Sequence, residues 1–200
     1  MTETHEITLS FAELAFVLSL TDAAHGEVVC RRLGVPHVRS DDQLAAAGLA
    51  SLALRGLAER HEDRLDLSPE VAAVAAAVVT AAETATIAVT HDDVTTLTQV
   101  FIGQVQSVAV RPAAFGCFRF GGLNDRAALS DVVAALFQGA IDEGRSAIAA
   151  MINDDTRITA VSRNGSVGVT VDDGTDTTVL AADVESVIAS MLADGNGSAG

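Results

Sequence analysis

At 200 residues the chain is long enough for one sizeable core or two small packed halves. Folding would remove roughly 70% of the unfolded surface from water, with no need for a disulfide or a metal. A composition that is 49% hydrophobic and 20% charged excludes disorder except at the ends, and 12 bases against 27 acids, net −15, make phosphate backbones and anionic headgroups poor partners.

The acidic excess is shared. Residues 1–100 carry 15 acids and 6 bases, and residues 101–200 carry 12 and 6, so there is no basic domain. All 12 bases are arginine. The apolar run Leu14–Leu20 is too short to cross a bilayer, and its acidic flank (Glu3, Glu6, Glu13) is the opposite of a signal peptide's. Cys30 and Cys117 have neither metal nor redox spacing and read as buried free thiols in a reducing cytosol.

Taken in order, residues 10–70 read as a helical unit. Ser10 and Glu13 form a capping box that opens a helix bearing Phe11, Leu14, Ala15 and Leu18. A second helix is expected from Ala24 to Leu33, stopped by Gly34 and Pro36. Ser40 with Gln43 is another capping box, reinforced by Asp41 and Asp42, and its helix runs to about Gly56. Leu57, Leu65 and Leu67 then flank a polar turn at His61–Arg64, which predicts a small hairpin. Three helices and a hairpin make a winged-helix pattern.

Ser68-Pro69-Glu70 starts a further helix through Val71–Ala82. From Thr84 the residues turn β-branched, predicting strands at Thr86–Thr90, Thr95–Gln99 extended to Gly103, Val105–Val110 and Phe115–Phe120, with Pro112 between the last two. Asn124-Asp125 is expected to cap a helix carrying Val132, Val133, Leu136, Phe137 and Ile141. Gly144 breaks it, and a further helical turn or two is expected as far as Ile152. Asn164-Gly165 suits a type I′ turn between strands Ile158–Ser162 and Val167–Val171. A strand Thr177–Leu180, a closing helix Ala182–Leu192 and a mobile tail 194–200 complete the chain. The expected fold class is α+β: a winged-helix-like unit packed with a mostly antiparallel sheet. One compact domain, 1–200, is expected, divisible into halves 8–123 and 124–193.

Catalytic chemistry is sparse. His91-Asp92-Asp93 is the one cluster of histidine with carboxylates, and it reads either as a hairpin turn or as an acid/base or metal site. Asp172–Asp176 resembles a calcium loop but lacks the distal glutamate. No phosphate-binding glycine fingerprint occurs, and neither cofactor nor metal is expected. In a DNA-binding reading, the recognition helix Asp41–Gly56 offers Arg55 and Gln43 against Asp41 and Asp42. Arg60 and Arg64 in the wing are offset by Glu59, Glu62, Asp63 and Asp66, so nucleic acid is not the expected partner.

Gln99–Leu123 holds four of the seven phenylalanines, Phe101, Phe115, Phe118 and Phe120, beside Arg111 and Arg119. Phe118 and Phe120 share a strand face, which Phe115 joins if a bulge intervenes at Gly116. They are either core aromatics of a sheet or, with the arginines, a protein-binding surface.

The run LAAAGLASLALRGLAERHEDRLDLSPEVAAVAAAVVTAAETATIAVT (Leu44–Thr90) resembles the corresponding stretch of EspG proteins, chaperones of actinobacterial type VII (ESX) secretion. TTLTQVFIGQVQSVAV (Thr95–Val110) is similar to the hairpin that follows in that family, and Arg157–Leu192 to its closing hairpin and helix. This chain is shorter between Leu123 and Asp155 and has neither Trp nor Tyr. The resemblance implies two quasi-related α+β halves. It implies a non-enzymatic cytoplasmic chaperone that buries the apolar tip of an aggregation-prone helical secretion substrate of PE–PPE type. Phe115, Phe118, Arg119, Phe120 and the hairpin around Asn164 are the expected contact residues. A winged-helix regulator and an enzyme using His91, Asp92 and Asp93 are the alternatives, and homodimerisation is open.

Overall fold

In the computed structural model the described residues are 6–20, 23–33, 42–62, 64–92, 94–123, 128–145, 147–152, 156–163, 166–171, 176–180 and 183–195. They form an α+β fold in which every pairing given below is antiparallel. The chain forms two compact units, Met1–Ala82 with Gln99–Asp125, and Glu83–Thr98 with Arg126–Gly200. The first unit thus holds the expected helical region, while residues 83–98 join the second.

The first unit opens with a strand that the sequence does not predict, β1 (Glu6–Ser10), in which the buried Ile7 and Leu9 alternate with the exposed Glu6 and Thr8. Ser10 ends this strand and caps helix α1 (Phe11–Ser19). Its hydroxyl accepts from Glu13 N at 3.3 Å, and its own N–H donates to Glu13 Oε2 at 2.7 Å. The expected capping box is therefore present. Helices α2 (Ala23–Leu33) and α3 (Asp42–Leu54) and the hairpin β2 (Ala58–His61) with β3 (Arg64–Leu67) follow in the expected order. The capping residue expected for α3, Ser40, lies outside the described residues.

Ser68 caps α4 (Pro69–Val79), with proline in the first turn where its missing N–H costs nothing. The unit's sheet takes the order β1, β7 (Cys117–Gly122), β6 (Ser107–Ala113) and the Gln99–Ile102 part of β5 (Val94–Ile102). Pro112 lies within β6, past Val110, where its register with β5 begins. The core gathers Leu9, Leu14, Leu52, Val78, Phe101 and Phe120, each 1% exposed or less. Full burial of such side chains stabilises by about 1.5–3 kcal/mol apiece.

The second unit runs in the order β4 (Glu83–His91), β8 (Ala147–Ile152), β9 (Thr156–Arg163), β10 (Ser166–Val171), β11 (Asp176–Leu180). Helix α5 (Leu129–Asp142) packs on β4, β8 and α6 (Val184–Gly195), and α6 also touches β11. Two expectations are corrected here. The segment to Ile152, expected to be helical, is strand β8. Ile148, Ala150 and Ile152 are buried alternately, and β4 and β9 flank it on both sides. Its alanines concealed that period of two, and pairing on both edges overrides their weak strand preference. Helix α5 is preceded by Ala128, which makes no side-chain cap, and Asn124-Asp125 lies outside the described residues. Strands β9 and β10 pair from Arg163↔Ser166 onward, and Asn164-Gly165, expected as a type I′ turn, lie outside the described residues.

Candidate functional site

Strands β6 and β7 form a hairpin in register from Val108↔Gly122 to Ala113↔Cys117, so Ala114, Phe115 and Gly116 are its loop. Phe115 has φ 59° and ψ 33°, and Gly116 has φ 69°. Glycine takes that conformation freely. A phenylalanine there gives up about 1–2 kcal/mol. The same side chain is 103% exposed. Phe115 is thus placed at a hairpin tip rather than in a strand, in a costly backbone state and bare to water.

Beyond the loop, β7 alternates strictly. Phe118 and Phe120 are 8% and 1% exposed, while Arg119 between them is exposed. Phe118 stands between Pro112 and Leu9, and Phe120 between Val110 and Ile7. They share one face, as their spacing predicts, but that face is the core. Phe118 and Phe120 are therefore corrected to packing residues, because the period of a strand that buries one aromatic buries the next one on the same side. Asn164, the remaining expected contact residue, lies outside the described residues.

The opposite face carries a different row. Arg119 stands directly opposite Arg111 on β6 and opposite Thr8 on β1, and all three are exposed. Side chains so paired have Cβ atoms about 4.5–5.5 Å apart, and like charges there repel. The flanking pairs on that face are Ala113↔Cys117 and Ala109↔Gly121, all half-buried and small. Of the two thiols expected to be buried, Cys30 is, whereas Cys117 is partly exposed, because it lies on the outer face of β7.

A second polar cluster braces the hairpin's neighbour. Glu13 is 1% exposed. It accepts from Arg55 Nη1 at 2.9 and 2.8 Å, from Ser51 Oγ at 2.8 Å and from Ser10 N. Burial pushes its carboxyl up, but the bonds from Ser10, Ser51 and Arg55 outweigh this and hold it below the ordinary carboxylate value. Arg55 also donates to Thr8 O at 3.1 Å, covering a carbonyl on β1, the terminal strand of its sheet. The sequence marks Glu13 as a cap partner, but nothing local connects it with Arg55.

The other candidate groups are dispersed. From Gln43 to Leu54 the exposed positions of α3 are Gln43, Ala46, Ala47, Ala50, Ala53 and Leu54, with Arg55 turned to Glu13. In the wing, Arg64 bonds Asp66 at 2.7 Å, and His61 lies 3.5 Å from Glu59. His91 and Asp92 meet at 3.7 Å at the end of β4, both largely exposed, and Asp93 lies outside the described residues. Among the described residues there is no group of three or more His, Cys, Asp or Glu able to hold a metal ion, and no helix long and apolar enough to cross a membrane. Comparison of the sequence with known protein families and with curated proteins returns no match.

Proposed function

We propose that the protein is a non-enzymatic adaptor or chaperone that holds a helical, aggregation-prone protein partner, and that the β6–β7 hairpin is where it takes hold. The observation that carries this reading is Phe115, fully exposed in a left-handed backbone conformation at the hairpin tip. A bare aromatic loses hydrophobic free energy in water, and its backbone adds strain. The first of these costs is recovered when the ring enters a partner's pocket. Arg111 and Arg119 beside it add the guanidinium-plus-aromatic composition of interface hot spots. The likeness to EspG proteins supports a cytoplasmic secretion chaperone and a substrate of PE–PPE type. Against the DNA-binding alternative stand the alanine face of α3 and the engagement of Arg55 by Glu13.

The test is co-expression with a PE–PPE heterodimer followed by size-exclusion chromatography. Wild type should co-elute with the soluble heterodimer, and Phe115→Asp should lose it while keeping its circular dichroism spectrum. Co-elution that survives Phe115→Asp would sink the assignment of the hairpin, and failure of wild type to co-elute would sink the PE–PPE substrate.

A further inference from the structure

We infer that β1 is a strand-addition edge held shut by the Glu13–Arg55 pair, and that the occupant it keeps out is a second copy of this chain. Strand β1 is the last in its sheet, paired with β7 on one side. Such an edge offers a row of main-chain donors and acceptors to any extended chain, and folded proteins often blunt it with proline, a bulge or basic side chains. The strand EITLS has none of these. Its register with β7 is unbroken from Glu6↔Gly121 to Ser10↔Cys117, and its one charge is Glu6.

The groups that face outward are identified by the bonds they make. The N–H of Ser10 donates to Glu13 Oε2 at 2.7 Å, so it points away from β7. Main-chain groups alternate in direction along an antiparallel strand, which places the N–H and C=O of Thr8 on the same outer side. There the C=O of Thr8 accepts from both Nη1 and Nη2 of Arg55, at 3.1 Å each. One ion pair thus occupies a donor and an acceptor that an added strand would need. The Glu13 side chain anchors it at 1% exposure, and that of Arg55, 43% exposed, reaches from the anchor to the rim of the sheet.

The strand is complementary to itself. Antiparallel pairing of two copies about a two-fold axis at Thr8 sets Thr8 against Thr8, where the two residues can exchange both N–H···O bonds. Glu6 then falls opposite Ser10 of the other copy and Ile7 opposite Leu9, so no carboxylate meets its like. The net charge of −15 opposes association at long range. At physiological ionic strength the Debye length is about 8 Å, so charges remote from the edge are largely screened. What stands in the way is the guanidinium on the Thr8 carbonyl.

The test removes the guanidinium and, separately, the donor of the edge. Arg55→Met keeps an apolar stem without donors. Glu13→Gln combined with Arg55→Met also removes the buried charge left behind, which keeps the question open to measurement if the single variant does not fold. Thr8→Pro deletes an N–H that faces away from β7, so the ladder with β7 survives while a strand can no longer be added. The readout is sedimentation at physiological salt, with thermal unfolding confirming that each variant is folded. Both variants lacking Arg55 should self-associate about tenfold or more tightly than wild type, roughly the worth of the two central hydrogen bonds. In both, hydrogen exchange at the Thr8 amide should slow as concentration rises. Adding Thr8→Pro should return their association to the wild-type level.

Folded variants without Arg55 that associate no more than wild type overturn the guard. Association that survives Thr8→Pro overturns β1 as the surface. Slowed exchange at Thr8 that does not depend on concentration overturns the second copy as the occupant.

Discussion

Arg55, just past the end of α3, places its guanidinium against both carboxylate oxygens of Glu13 in α1, at 2.9 and 2.8 Å, across 42 positions of sequence. The same carboxylate holds the N–H of Ser10 at 2.7 Å, so one buried acid joins the end of β1, the start of α1 and the end of α3. Its position dictates which substitutions are costly. Arg55→Ala leaves a buried carboxylate with one fewer charged partner and should cost about 1–3 kcal/mol in urea unfolding. A change within error would show that solvent replaces the guanidinium without penalty.

The pH dependence follows from the same group. The folded pKa of Glu13 lies below its ordinary value, so its contribution to stability is fully present above that ordinary value and is lost as pH falls through the folded one. Wild type should therefore lose stability relative to Glu13→Gln as the pH is lowered past the usual carboxylate range. Parallel stability curves for the two proteins across that window would contradict the assignment.

Gly48 in α3 sits against α1 so closely that a Cβ there would overlap the carbonyl of Ala12 and lie 3.0 Å from Glu13 N. In an isolated helix Gly48→Ala would gain about 1 kcal/mol of propensity. Here the atom it meets is backbone, so the two helices must separate. The expected result is a fall in melting temperature of several degrees, on the order of 2–4 °C per kcal/mol in a chain of this size. A rise instead would mean that α1 and α3 part at little cost.

Phe115 and Phe118 should respond in opposite ways, although only three positions separate them. Phe118 is 8% exposed within the core, and Phe118→Asp should unfold the protein or cost more than about 3 kcal/mol. Phe115→Gly removes a side chain without packing partners and relieves a φ of 59°, so it should be neutral or stabilising by up to about 1 kcal/mol. Chemical denaturation of both variants decides this. Destabilisation by Phe115→Gly would show that the ring packs against the fold in solution.

The chain's local signals carried much of the fold. Ser10 with Glu13 and Ser68 with Pro69 placed two helix starts, because capping is chemistry between residues three apart. Strand β8 was illegible for the converse reason. AIAAMI has no strong strand former beyond its isoleucines, and it becomes a strand because β4 and β9 pair with it on both edges. The candidate site was half legible. Composition drew attention to Phe115, Phe118, Arg119 and Phe120, but exposure depends on which face of β7 meets the core, and that is set by Ile7 and Leu9, more than a hundred positions earlier.

What the sequence determined by itself is whatever acts over a few bonds or over the whole surface. That covers the α+β class, the helix starts at Ser10 and Ser68, and the acidic excess shared by both halves of the chain. The tertiary structure alone decided which aromatic stays in water, that Arg111 and Arg119 stand opposite each other, and that Arg55 is committed to Glu13. The burial of Phe118 and Phe120 and the Arg55–Glu13 pair join segments distant along the chain, and the arginine pair is set by the register of one hairpin. They follow from strand register and helix contact, which are settled only when the hydrophobic faces close on one another.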